Sequence, residues 1–191
     1  KVEGVEELLS ALRRFAPRPR RGEAFAARVF KITRDPQGVR LTHIKLTGGS
    51  LRVKAVLPET GEKVDQIRIY SGARFIAPEM VEVGTVCALT GLNATYPGQA
   101  LGVESPWAPP VLEPALAYQL LLPEGTDPHT VLPRLRLLAE EDPQLHLEWN
   151  EALGTIHLRL MGEVQAEILK RVIADRFGLA VEFGPGDVVY A

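Results

Sequence analysis

The first apolar pattern in the chain has the spacing of a helix. Between Gly4 and Phe15, apolar residues recur at intervals of three and four, which places them on one helical stripe: Val5, Leu8, Leu9, Leu12 and Phe15. Pro17 and Pro19 end this helix. A short isolated helix needs apolar surface to be stable. It therefore either packs on the residues that follow or belongs with a partner that precedes it.

Residues 23–102 carry the alternation that is typical of β-strands. Apolar and polar positions alternate at 25–29 and at 51–57, and short apolar runs recur at Val64–Tyr70, Val86–Leu89 and Leu92–Ala94. Turn sequences separate these runs, among them Asp35–Gly38 and Thr47–Ser50. Many short strands with this spacing predict a small closed barrel or a sandwich.

A proline-rich segment divides the chain. Pro106, Pro109, Pro110 and Pro114 all lie within residues 104–114. Because such a density of proline continues neither a helix nor a sheet, we expect a domain boundary here.

The residues after this segment predict the order β-α-β-β-α-β. A strand at Ala117–Leu122 precedes a helix at Pro128–Glu141, two half-buried strands follow at 145–150 and 156–160, and a helix at Glu163–Phe177 leads through Gly178 into a last strand at 179–183. This is the split βαβ, or ferredoxin-like, order, in which two helices cover one face of the sheet. The predicted buried stripe of the second helix is Val164, Ile168, Leu169, Val172, Ile173 and Phe177.

The composition is that of a globular protein. Of 191 residues, 46% are apolar and 24% are charged, which excludes a disordered tail, a collagen-like fibre and a disulfide scaffold. No apolar run reaches the ~18 residues of a membrane span, and the acidic residues among the first 17 exclude a signal peptide there. The single cysteine, Cys87, cannot form an internal disulfide and lies in an apolar run. These features favour a cytoplasmic protein.

Charge is distributed unevenly along the chain. Residues 1–54 contain 13 Lys and Arg against 5 Asp and Glu, whereas the whole chain has a net charge of −2. A basic first part is compatible with a polyanionic partner. The candidate RNA-facing residues are four cations on two adjacent predicted strands: Arg40, Lys45, Arg52 and Lys54. If these strands pair through Gly48 and Gly49, some of the cations share a face. An ordinary polar barrel exterior explains them equally well.

Catalytic and metal-binding motifs are missing. The chain has no phosphate-binding G-x-x-x-x-G-K-[ST] loop, no nucleophile motif and no compact group of histidines. Asp35–Gly38 matches the Asp-x-x-Gly string of nucleotide switches, but a hairpin turn accounts for it. The acidic cluster Glu140-Glu141-Asp142 lies at a helix C-terminus, where negative charge opposes the helix dipole, so it is either solvated or bound to a basic partner.

One enzymatic alternative follows from the split βαβ order. Residues 162–165 are similar to the phosphate loop of acylphosphatases, with Gln165 and Arg159 as the residues to test. In those enzymes the loop precedes the first helix of the fold and an Arg follows shortly, whereas here the string precedes the second helix and the next basic residue is Lys170.

Several segments together resemble elongation factor G and its relatives. Residues 24–57, with Lys31-Ile32 and Asp35-Pro36, resemble the start of the second domain of that family. Residues 138–145 and 154–167 resemble the first helix end, a central strand and the Met-Gly-Glu turn of its third domain. Residues 4–17 resemble the closing helix of its GTPase domain, and residues 177–190 resemble the run into a fourth domain.

The resemblance implies a domain organisation. Residues 1–21 would be the closing helix and connector of a GTPase domain outside this chain, residues 22–103 an all-β barrel of the translation-factor second-domain type, and residues 104–115 a proline-rich linker. Residues 116–187 would be the ferredoxin-like domain, and residues 188–191 the start of a fourth domain. The sequence thus looks like a piece of a longer protein.

The resemblance also implies partners and cofactors. The expected partners are the ribosome, through small-subunit rRNA and ribosomal protein, and the GTPase domain of the same parent chain, with no membrane. GTP and Mg are expected for the full-length parent, which would be a GTPase. For this chain we expect no catalytic, cofactor-binding or metal-binding residue.

The turn before the second helix bears on the branch of the family. Translocases usually have His where this chain has Gln165, and Val164-Gln165 looks more like the tetracycline-resistance, ribosomal-protection branch. We therefore expect ribosome-docking and relay domains of the protection type. An elongation factor G-type translocase fragment is the alternative within the family, and a small hydrolase is the alternative outside it.

Overall fold

The computed structural model describes residues 3–16, 22–106 and 113–188. The described residues of the first half form one helix and eight strands: α1 (Val5–Phe15), β1 (Ala26–Arg34), β2 (Arg40–Gly48), β3 (Ser50–Arg52), β4 (Gln66–Ser71), β5 (Arg74–Ile76), β6 (Met80–Glu82), β7 (Val86–Thr90) and β8 (Ala100–Gly102). The predicted connector at 17–21, the middle of the linker at 107–112 and residues 189–191 lie outside the described residues.

Strands of the first half form two antiparallel groups. Six of them make one sheet in the order β5-β4-β7-β2-β1-β8, and β3 pairs with β6 alone. Alternate apolar side chains of both groups point into one core, which includes Val29, Ile44, Ile67 and Leu89. Among the described residues no ladder joins β5 to β8, so the predicted closed barrel is not present as a closed ring of hydrogen bonds.

The chain passes from the large sheet to the small one at Gly48-Gly49. The condition for some of the four candidate cations to share a face is pairing of the strands on either side of this turn. It is not met, because β2 pairs with β1 and β7 whereas β3 pairs with β6. Gly49 has φ +59° and a Cβ there would lie 2.8 Å from backbone atoms of residues 23–25. Only glycine satisfies both the backbone angle and the close approach.

The described elements of the second half follow the predicted order. They are β9 (Leu116–Leu121), α2 (Pro128–Glu141), a 3-10 turn (Pro143–Leu145), β10 (Glu148–Asn150), β11 (Thr155–Leu160), α3 (Glu163–Phe177) and β12 (Glu182–Val188). The strands form one antiparallel sheet in the order β10-β11-β9-β12. Asp127 caps α2 by accepting from the His129 N–H, and Gly178 ends α3 with φ +64°.

Two details of the second half differ from the sequence prediction. The strand predicted at 145–150 starts only at Glu148, because Pro143–Leu145 turns and His146 adopts φ +38°. The buried residues of α3 are Ala166, Leu169 and Ile173, whereas Val164 and Ile168 are 76% and 60% exposed. The buried face of α3 is therefore narrower than the stripe that its apolar residues predict.

The two halves have separate cores. One hydrophobic cluster contains residues between Ala27 and Leu101, the other contains residues between Tyr118 and Val181, and they share no member. Helix α1 belongs to neither, since none of its eleven residues is buried and its apolar stripe is 41–74% exposed. Of the two predicted arrangements for this helix, packing on the following residues is thus not observed. In the described residues, no helix has the length and apolarity to traverse a bilayer.

Candidate nucleic-acid interface

Arg40, the first of the four candidate cations, is buried. Its side chain is 6% exposed at the start of β2. Nη1 donates to the Leu92 carbonyl (2.8 Å) and the Thr95 hydroxyl (2.9 Å), and Nη2 donates to the Thr95 carbonyl (2.5 Å). Nε donates to Oε1 of Glu140 at 2.5 Å. Every guanidinium nitrogen already has a protein partner, so the prediction that Arg40 faces RNA does not fit its position.

Glu140 joins the second half to the first. It lies in the last turn of α2 and accepts from Arg40 through one oxygen and from Arg34 Nη2 (2.9 Å) through the other. Arg34 and Arg40 are directly opposite each other in the β1–β2 register, so both reach the same face. Two like charges in such positions repel, and the shared carboxylate offsets this repulsion.

The hairpin that carries both arginines is fixed by Asp35. Its Oδ1 accepts from the N–H groups of Gln37 and Val39, and its Oδ2 pairs with Arg68 Nη1 at 2.9 Å. The hydrogen bond from Arg68 is the largest influence on Asp35 and lowers the pKa of its carboxyl group below 3.8. The prediction of a hairpin turn at residues 35–38 is thus confirmed.

Glu140 and Glu141 of the acidic cluster at the end of α2 are bound by basic residues, whereas Asp142 accepts from the Gln144 N–H. Glu140 takes Arg34 and Arg40, and Glu141 makes a bidentate pair with Arg176 of α3 at 2.7 and 2.9 Å. Cations beside a helix C-terminus are favourable, because they counter both the carboxylates and the dipole. Carboxylates at a helix C-terminus oppose the helix dipole, and this feature of the sequence indicated that basic partners could be present. It did not identify Arg34 as one of them.

The other three candidate cations are exposed and lie apart from Arg40. Lys45 is on β2 and its Nζ donates to the Gly84 carbonyl. Arg52 ends β3 in the small sheet. Lys54 follows with φ +69° and pairs with Asp65 at 3.0 Å, both side chains being more than half exposed. The structure leaves Lys45, Arg52 and Lys54 available to a phosphate backbone, and their contact with RNA stays a prediction.

A groove of about 600 Å³ beside Lys45 contains one carboxylate. Glu104 lines it, pairs with Arg28 at 2.7 Å and accepts from the Thr47 hydroxyl. The carboxylate is thereby neutralised, so it does not oppose an anion approaching Lys45.

Comparison with known proteins covers nearly the whole chain. It is 29% identical over 195 residues to a tetracycline resistance protein, TetP, of Clostridium perfringens, with 98% of this chain and 30% of the relative aligned. It is 28% identical to an oxytetracycline resistance protein of Streptomyces rimosus (96% and 29%) and to elongation factor G of Amoebophilus asiaticus (91% and 26%). The chain is homologous to these proteins.

Structure comparison agrees with this homology. A crystal structure of a protein from Thermus thermophilus superposes with a TM-score of 0.75 at 28% identity, covering 95% of this chain and 29% of that one. No family model matches the chain. In the alignments above, the chain spans less than a third of the length of these elongation factor G and tetracycline resistance relatives.

The residues of the acylphosphatase alternative serve the fold of this elongation factor G homologue. The Gln165 side-chain oxygen accepts from the Met161 N–H at 2.7 Å, which closes the turn before α3. Arg159 Nη2 donates to Glu148 on the neighbouring strand at 3.1 Å. Both polar groups are thus engaged in local structure.

The part of the chain that the structure describes shows neither a metal-binding group of side chains nor an exposed thiol. No group of three or more His, Cys, Asp or Glu side chains there is arranged to hold a metal ion. Cys87 is 3% exposed, and burial raises the pKa of its thiol to about 12. The prediction that Cys87 is a core residue is confirmed, and a thiol of this kind is unreactive at neutral pH.

Proposed function

We propose that this chain forms two adjoining domains of a translation-factor GTPase that acts on the ribosome. Residues 22–103 would be the barrel-type second domain and residues 116–187 the ferredoxin-like third domain. The observation that carries the proposal is the alignment of 98% of the chain with a tetracycline resistance protein. The two separate cores and the β10-β11-β9-β12 sheet order support the division.

The first of these domains docks on small-subunit ribosomal RNA. Lys45, Arg52 and Lys54 supply exposed cations, and phosphate contacts of this kind need no particular base sequence. Arg40 has a different task, because it ties this domain to Glu140 of the next.

The second domain relays the nucleotide state of the parent protein. A movement of α2 changes the position of Glu140 and is passed to the β1–β2 hairpin through Arg34 and Arg40. The exposed apolar stripe of α1 packs on the GTPase domain of the parent chain, where GTP and Mg bind. This chain alone is expected to bind no GTP in a calorimetric titration.

The proposed branch is the tetracycline-resistance, ribosomal-protection type. Two of the relatives described above carry resistance names, and Gln165 stands where translocases usually have His. The discriminating experiment expresses the full-length parent protein in a tetracycline-sensitive host. Growth in the drug supports the protection branch, and rescue of a strain depleted of its own elongation factor G supports the translocase instead.

The docking proposal is tested by co-sedimentation of the 191-residue chain with small ribosomal subunits over a range of salt. Replacing Lys45, Arg52 and Lys54 together by Ala should weaken binding at least tenfold and flatten the plot of log K against log salt by about two to three units. The matched control replaces three exposed cations of the second half by Ala: Arg134, Arg136 and Arg171. Equal losses in both variants, or no binding by the parent chain, would contradict the proposal.

A further inference from the structure

The outward face of the six-stranded sheet carries a row of rings that the proposed function does not use. Phe30 on β1, His43 on β2, Tyr70 on β4 and Phe75 on β5 follow one another with ring centroids 6.0, 6.4 and 5.3 Å apart. Phe30, Tyr70 and Phe75 are 44%, 38% and 43% exposed. Large aromatic side chains in a contiguous exposed row indicate a contact surface.

The register of the strands explains how rings from four strands meet. His43 and Arg68 are both directly opposite Ala88 of β7, and Tyr70 is opposite Phe75, so these side chains share one face of the sheet. Ala88 itself is fully buried. Its small side chain leaves room for the His43 and Tyr70 rings to approach each other across β7.

The charges around the row are positive. Arg68 stacks on the Phe75 ring with its central carbon 4.6 Å from the centroid. Lys31 is opposite His43, and Lys45 lies two residues along β2 on the same face. Two carboxylates near this face are already paired, Asp35 with Arg68 and Glu104 with Arg28. Among the described residues, no carboxylate forms an ion pair with Lys31 or Lys45.

Proteins that bind single-stranded nucleic acids combine exposed aromatic rings with cations that are free to contact phosphates. Bases stack on flat aromatic faces whatever their sequence, and lysines follow the phosphates. Burial, and then the charge of Lys31, lower the pKa of His43 below its ordinary value and thus favour the neutral ring. A purely apolar protein partner would not call for the surrounding cations.

We propose that the row of Phe30, His43, Tyr70 and Phe75 stacks on unpaired bases of an RNA strand whose phosphates contact Lys31 and Lys45. The proposal rests on the proposed function, because it specifies how the first domain holds RNA. It adds base stacking to phosphate contacts. It also extends the docking surface from β1 to β5, across the intervening strands β2, β7 and β4.

The test uses the full 191-residue chain and a fluorescent single-stranded oligoadenylate of about 12 nucleotides, a length within the range of known single-strand sites. Tyr70→Leu and Phe75→Leu keep an apolar side chain and remove the flat ring. Each should weaken binding about tenfold, and together more, without changing the salt dependence. Phe15→Leu is the matched control, since Phe15 is 74% exposed on α1, outside the row, and it should change binding less than about twofold.

Further arms separate the possible failures. Lys31→Ala with Lys45→Ala should lower the salt slope by about one to two units while the ring contribution persists. Binding of oligoadenylate that is unchanged in Tyr70→Leu and Phe75→Leu, in chains that melt cooperatively, overturns the stacking proposal while ribosome docking through Lys45, Arg52 and Lys54 stands. Equal affinity for duplex RNA also overturns it. Ring variants that lose only ribosome binding would show that the row contacts ribosomal protein, and this result likewise overturns the proposal.

Discussion

Arg40 and Lys54 look alike in the sequence and differ entirely in the structure. Both are cations near strands of the basic first part, and both have a carboxylate partner. The partner of Arg40 is 100 residues away, and the pair is largely enclosed. The partner of Lys54 is 11 residues away, and both side chains are more than half exposed. The contrast shows that long-range packing, and not local charge, decides whether a cation stabilises the fold or remains free to bind.

The energetic consequences of the two pairs differ as well. Removing one member of an enclosed pair leaves a charge and several polar groups without partners in a region of low dielectric. Removing one member of an exposed pair lets water replace it, and salt screens what remains. The variants below test this difference in order of expected effect.

Arg40→Ala is expected to have the largest effect on stability. It removes the donor to the Thr95 carbonyl and leaves Glu140 with Arg34 as its remaining cation. Because Glu140 keeps one partner and is 29% exposed, the loss should be below the range for a broken buried pair, about 2–3 kcal/mol. Urea denaturation measures it. Lys54→Ala is the control and should cost less than about 1 kcal/mol. Equal losses in the two variants would remove the distinction between them.

Glu140→Gln tests the contact between the halves more selectively. It removes the charge that Arg34 and Arg40 share, at a cost of about 1–2 kcal/mol. Small-angle X-ray scattering should then show a larger radius of gyration. Glu141→Gln breaks a pair within the second half and should leave the scattering curve unchanged. An identical curve for Glu140→Gln would mean that this carboxylate does not hold the halves together.

His43 predicts a pH dependence of smaller size. Since its pKa is lowered in the folded chain, the unfolded chain binds more protons as the pH falls through about 6.5, and the free energy of unfolding decreases. Thermal melts at pH 7.5 and at pH 5.5 should therefore differ, with the lower stability in acid. His43→Gln should reduce the part of the difference that lies below about pH 6.5. If His43→Gln leaves the pH dependence of stability unchanged, that dependence arises from other titratable groups.

The smallest effect on stability belongs to the pair of Lys54 with Asp65. Lys54→Ala and Asp65→Ala should each change the free energy of unfolding by about 0.5 kcal/mol. Their effects on ribosome binding should have opposite signs, because Asp65→Ala releases Lys54 for a phosphate and removes a repulsive carboxylate. Co-sedimentation at low salt measures this. A loss of binding in both variants would indicate that Asp65 positions Lys54 instead of competing with RNA.

Local patterns in the sequence were sufficient for much of the fold. The stripe of α2, Val131, Leu132, Leu135 and Leu138, is buried as the helical period predicts, and the hairpin at Asp35 and the cap at Gly178 depend on backbone preferences of a few residues. The order of elements in the second half follows from the same local signals.

The failures concern contacts between distant residues. Arg40 is buried by residues 92–95 and by α2, and nothing near it in the sequence reports this. Val164 and Ile168 fit the apolar period of α3 but lie outside the strip that its sheet covers. The ring row was missed because Phe30, Tyr70 and Phe75 come from three strands, and only the register of the sheet brings them together.

Gly49 limits how this chain tolerates change. A methyl group at that position meets backbone on the segment leading into β1, and backbone, unlike a side-chain tip, has no alternative rotamer to adopt. Gly22 has open space around an added Cβ and an ordinary φ, so alanine is acceptable there. In a library of variants selected for folding, position 49 should accordingly remain glycine, whereas position 22 should accept other residues. Every folded variant would then keep the close approach of Gly49 to the segment that leads into β1.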